Sequence, residues 1–181
     1  EAGNAVTLVL QKAVGSSGKR VVEGYNHNDN PPLGAKLILS YSAMAGARTV
    51  GLRFQGLEVP QGATITNASI TFTAATASDN LTSFRFKAED VGNSAAFAAT
   101  GNNISNRSVT TSSVSWDGVP AWTAEGETHE TPNLASVVQQ IVDRGDWCGG
   151  NAMSFIVTAK MAGAQRFAKS RDDNLSDAPQ L

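Results

Sequence analysis

The chain has 181 residues, of which 41% are hydrophobic and only 17% charged, with a formal net charge of −2. That apolar content can build a core and argues against a disordered chain, while the surface must draw on Ser, Thr, Asn and Gly, as extracellular all-β proteins do. Lys and Arg are scattered, which speaks against a nucleic-acid partner, and no run approaches the about 18 apolar residues of a membrane-spanning helix.

In chain order, residues 5–14 alternate Val6, Leu8 and Leu10 with polar neighbours, a period of two that predicts a strand. A glycine turn at 15–18 leads to a short strand over 19–25. The polar loop Asn26-His27-Asn28-Asp29-Asn30-Pro31-Pro32 follows, then a strand over 36–41 carried by Leu37 and Leu39. The most strongly patterned stretch is 50–74. Val50, Leu52 and Phe54 share one face of a first run, and Ala68, Ile70 and Phe72 share one face of a second. Between them, Pro60 suits the first central position of a type I turn and Gly62 the position that follows. Phe84 and Phe86 alternate with Arg85 and Lys87 in a strand over 81–88. The Asn-, Ser-, Ala- and Thr-rich stretch 89–113 predicts long loops.

One helix is predicted, over about residues 132–143. Thr131 is a good N-cap, and Pro132 fits the first helical position, where its missing N–H costs nothing. Leu134, Val137, Val138, Ile141 and Val142 then make an apolar stripe, and Gly145 stops it. After Gly149-Gly150, Met153, Phe155 and Val157 predict a strand, and 166–170 another. Many short strands, turn signals and a single packed helix predict one all-β domain over 1–181, a β-sandwich of jelly-roll type.

Several of these segments carry a resemblance. They are 50–74, Phe86-Lys87-Ala88-Glu89-Asp90 with Asn93 and Phe97, Asn103-Ile104-Ser105 with Arg107, and Val114-Ser115-Trp116. The pattern runs on through Pro120-Ala121-Trp122, Thr131-Pro132-Asn133-Leu134, the stretch 146–151 and Ala178-Pro179. In order and spacing the chain resembles the bacterial surface modules of the DNRLRE and disaggregatase-related group. These recur in secreted proteins, adhesins and polysaccharide lyases. The resemblance implies a jelly-roll sandwich and an extracellular or cell-surface location. It leaves two roles open, a structural or adhesive subunit and a carbohydrate-binding module.

The chemistry-bearing residues are few. His27 and His129 are the only histidines and lack a metal-ligand spacing, no nucleophile elbow or phosphate loop is present, and both read as solvated loop residues. The chain is therefore expected to be no enzyme. Oxygen-rich clusters at 26–30, at Glu89-Asp90 with Asn93, and at 172–177 are candidate calcium sites, since calcium takes about six to eight oxygen ligands. Solvated turns are the competing reading. The resemblance favours Glu89, Asp90 and Asn93 as the calcium ligands, and Lys169, standing where the family carries an acidic residue, weakens the last cluster. Trp116, Trp122 and Trp147 are candidates for a glycan-stacking platform, but their alternation with apolar neighbours favours the core, and no glycan-binding residue is singled out. Cys148 has no partner for an internal disulfide and is expected to be a buried or half-buried neighbour of Trp147.

Two expectations concern the ends. The chain starts at Glu1, as a processed mature protein or a fragment does. Modules of this resemblance continue past the Ala-Pro-x-Leu segment into a closing apolar strand, whereas the sequence stops at Leu181. A sheet without that strand has an open edge that another chain can complete. Val6, Leu8 and Leu10 are then the candidate subunit contact, either adding to a neighbour's sheet or forming the first strand of their own domain.

Overall fold

The structure is a computed structural model and describes residues 49–161, 165–170 and 176–181. The strands expected at 5–14, 19–25 and 36–41 lie outside the described residues, as do His27 and the clusters at 26–30 and 172–174. The chain divides into two units, Glu1–Tyr41 and Ser42–Leu181, and every element described here belongs to the second.

That unit is an all-β sandwich with one short helix. Its strands are β1 (Thr49–Phe54), β2 (Thr71–Thr73), β3 (Phe84–Ala88), β4 (Val114–Trp116), β5 (Thr128–Glu130) and β6 (Met153–Ala159), with α1 (Ala135–Val142) between the last two. One antiparallel sheet has the order β1-β6-β3-β4, and the other pairs β2 with β5. In register, Leu52 faces Phe155 on β6, and Lys87 of β3 faces Ile156 on the other side of β6. The alternation read from the sequence puts Leu52, Phe54, Phe86, Trp116, Phe155 and Val157 into one core with Ile70 and Phe72 of the opposing layer. Phe72 and Trp116 stack across the layers at 6.5 Å, and Phe54 meets Phe155 edge-on at 6.0 Å.

The central strand β6 is buried on both faces, not only on the Met153, Phe155 and Val157 side. Its far face is covered by the loop after β3. The Glu89 N–H donates to the Ser154 carbonyl at 2.8 Å, and the Ser94 hydroxyl lies 2.6 Å from that of Ser154.

The stripe Leu134, Val137, Val138, Ile141 and Val142 is buried throughout, and the helix packs against β3. Its start differs from the expectation. The helix begins at Ala135 with Leu134 at the cap position and no side-chain cap. Thr131 does not cap it, because its hydroxyl accepts instead from the Ile70 N–H at 2.9 Å. Asn133 takes part of the capping task, its Oδ1 accepting from the Ala135 N–H at 2.8 Å. The same latch shortens the second run of the 50–74 stretch. Ladder bonding covers only Thr71–Thr73, and upstream the Ala68 and Ile70 N–H groups donate to the side chains of Asn133 and Thr131.

The turn between the two runs works as its residues suggest. Gly62 has φ +70°, a left-handed value that favours glycine, and its N–H donates to the Val142 carbonyl at 3.0 Å, tying the turn to the helix end. The Val59 carbonyl accepts from the Trp147 indole N–H at 2.9 Å. Residues 166–170 form no strand but a segment that meets the β2 end through an Ala74–Ala168 bridge.

Candidate functional site

The acidic pair after β3 is held by arginine. The Arg107 guanidinium donates to the Glu89 carboxylate at 2.7 Å, with both side chains almost buried. It also donates to the Ala95 and Ala96 carbonyls at 2.9 and 3.0 Å and sits 4.3 Å above the Phe97 ring. Phe97 in turn lies against β1, where a Cβ on Gly51 would collide with the ring, so glycine is what lets the loop close over the sheet. Asp90 turns the other way, to Arg144 at 2.6 Å. Asn93 accepts from the Ala152 N–H at 3.0 Å.

Glu89, Asp90 and Asn93 thus serve three separate partners. Among the described residues no group of three or more His, Cys, Asp or Glu side chains gathers around one point. A calcium ion would have to draw both carboxylates away from their guanidinium groups. Melting the protein in millimolar calcium and in chelator separates the two readings: equal melting temperatures are expected if the arginines hold the carboxylates, and a rise with calcium would assign the site to the metal.

Arg144 also grips Asp146 at 2.8 Å, and Asp146 accepts from the Gly92 N–H at 3.2 Å. The Arg144 hydrogen bond is the main reason the Asp146 carboxyl sits below its ordinary value of 3.8, and it raises Arg144 in turn. A carboxyl held low in the folded state adds stability that is present above its unfolded value and lost as the pH falls through the lower folded one. Asp146→Asn is therefore expected to flatten the acid side of the stability–pH curve below about pH 4, with no change near neutrality beyond the loss of an exposed ion pair. Urea unfolding at several acid pH values reads this directly.

His129 is not a solvated loop residue. It lies on β5, its ring stacked on Trp122 at 4.8 Å with 7° between the planes, and its Nε2 is 3.3 Å from the Glu127 carboxylate. Bonds from the Thr123 and Ala124 N–H groups, chiefly the former, together with His129 hold Glu127 below its usual range. Among the described residues no nucleophile is hydrogen-bonded to the imidazole. Trp116, Trp122 and Trp147 are all buried, as their alternation implies, and offer no stacking platform. Cys148 departs from expectation: Trp147 turns inward while the cysteine next to it is exposed.

What the residues do build is a cleft. It has a volume of about 1250 Å³ and runs along β1 from Val50 to Phe54, between that strand and the segments 165–170 and 178–181. Its floor carries Phe72, Phe84, Phe86, Trp116 and Val157 from both layers. β1 is the end strand of its sheet, with no strand on its outer side among the described residues. Arg166 holds the opposite wall. Its guanidinium donates to the carbonyls of Asn80, Val119 and Pro120 at 2.9 to 3.0 Å, and burial lowers its pKa from the ordinary arginine value. Sequence reading missed the cleft because its walls come from stretches more than a hundred residues apart.

No family model matches the chain, and no curated protein or solved structure matches it.

Proposed function

We propose that this protein is a non-catalytic structural or adhesive subunit of a bacterial surface, polymerising into an extracellular filament by strand exchange. In this reading the segment carrying Val6, Leu8 and Leu10 of one copy adds to the sheet of the next. The observation that supports it is the apolar cleft between the two layers, beside an end strand with no strand on its outer side among the described residues. Open sheet edges over exposed apolar surface are the features that recruit another strand, with backbone hydrogen bonds giving affinity and alternate side chains giving fit.

The reading of a carbohydrate-binding module draws less support, since it needs aromatic faces in solvent and the three tryptophans are buried. A negative-stain micrograph of the purified protein tests the proposal. Filaments are expected, and single particles at every concentration would count against it.

A further inference from the structure

Resting on the reading that copies of this chain associate, we infer that the outer face of the four-stranded sheet, at Arg85 and Lys87, meets the carboxylates around β5 of a second copy. Among the described residues, Arg53, Arg107, Arg144, Lys160, Arg166 and Lys169 all bond a carboxylate or a carbonyl. The other two described cations, Arg85 and Lys87, bond neither. They are neighbours on one face. Phe84 and Phe86 of β3 pack into the core, so the two residues that alternate with them project from the outer side of the sheet.

Nothing across the ladder compensates them. Arg85 stands opposite Ser115 on β4 and Thr158 on β6, and Lys87 stands opposite Ile156. A third cation flanks the pair, Lys160, whose Nζ bonds the Ser115 hydroxyl at 3.1 Å and Asp117 at 2.6 Å. Positions two apart on a strand lie about 7 Å from each other, where like charges repel and an anion from outside relieves them.

The chain carries matching anions on its other layer. Phe72 of β2 faces the core, whereas Thr71 is paired with Glu130, so Glu130 lies on the outer face of the two-stranded sheet. It is exposed and takes a hydrogen bond from the Ser69 hydroxyl, but no cation among the described residues. Glu125 and Glu127 stand just ahead of it, with side-chain exposures of 65% and 36%. One layer of the sandwich is therefore basic on its outside and the other acidic. Exposed ion pairs add little affinity, but complementary faces speed encounter and fix which surfaces meet. Because the two faces differ, the contact is head-to-tail, and such a contact propagates unless its rotation closes a ring.

Charge reversal in the full chain tests this by sedimentation velocity. Arg85→Glu/Lys87→Glu and Glu125→Lys/Glu130→Lys are each expected to lose the assemblies the wild type forms, with an unchanged circular-dichroism spectrum. Mixing the two variants should restore assembly, since each then offers the face the other lacks. Arg85→Gln/Lys87→Gln, which only removes charge, should lose part of the assembly, and wild-type assemblies should shrink as salt screens the faces. Assemblies that persist in both reversed variants, or a mixture that fails to restore them, would overturn this contact and leave the polymer reading standing. A wild type that is monomeric throughout would overturn both. Monomeric wild type that binds polygalacturonate, with binding lost in Arg85→Gln/Lys87→Gln, would assign the two cations to an outside polyanion and overturn the contact between copies.

Discussion

Arg107→Met is expected to destabilise the fold by about 3–5 kcal/mol, among the largest losses any single substitution should produce here. The reason is the carboxylate left behind. Glu89 and Arg107 have side-chain exposures of only 12% and 9%, so removing the guanidinium leaves a charge with little water to receive it. The loop from 94 to 107 loses its anchor as well, because the same guanidinium bonds Ala95, Ala96 and Asn103. Neutralising the partner should restore part of the loss, since a buried pair replaced on both sides costs far less than one broken on a single side. Urea unfolding of Arg107→Met and of Glu89→Gln/Arg107→Met makes the comparison. A loss below ~1 kcal/mol in the single variant would mean the pair behaves as a surface contact.

Phe155→Ala is expected to cost about 3–5 kcal/mol through the cavity it opens. Phe155 is fully buried at the centre of β6, opposite Leu52 of β1, and its ring meets Phe54 edge-on. For a chain of this length the midpoint of thermal unfolding should fall by roughly 6–20 °C. Phe155→Leu should lose distinctly less, because most of the volume stays. Equal losses from the two variants would point to the ring geometry, not the cavity, as the source of stability.

Much of this fold is legible in the sequence because its signals are local. The alternation of Leu52 with Phe54, of Phe84 with Phe86 and of Met153 with Phe155 and Val157 reports strands that β1, β3 and β6 realise. The helix stripe from Leu134 to Val142 needs only a period near 3.6 to be seen, and all five of its residues are buried. What stays hidden is set by partners distant in the chain. Thr131 reads as a helix cap, yet its hydroxyl is taken by Ile70, 61 residues away. β5 is Thr-His-Glu, with no apolar pattern of its own, and exists as a strand because β2 supplies its ladder.

The candidate sites divide the same way. A run of carboxylates and amides at 89–93 is visible, but the arginines that engage it stand 18 and 54 residues further on. The sequence shows an oxygen-rich cluster; only the fold shows the cations already there. The cleft is harder still to foresee, since Val50, Phe167 and Leu181 each look like an isolated exposed hydrophobic until the chain brings them to one rim.

Sedimentation velocity of the wild-type chain beside Leu8→Asp/Leu10→Asp tests strand exchange most directly. Each buried Leu or Val contributes about 1.5–3 kcal/mol, so two aspartates in the donor segment should abolish the contact between subunits. The wild type is expected to sediment as a series of assemblies that grow with concentration, and the double variant as a folded monomer with an unchanged circular-dichroism spectrum. A wild type that is monomeric at every concentration, with a double variant that no longer folds, would make residues 6–10 a strand of their own domain and contradict the exchange.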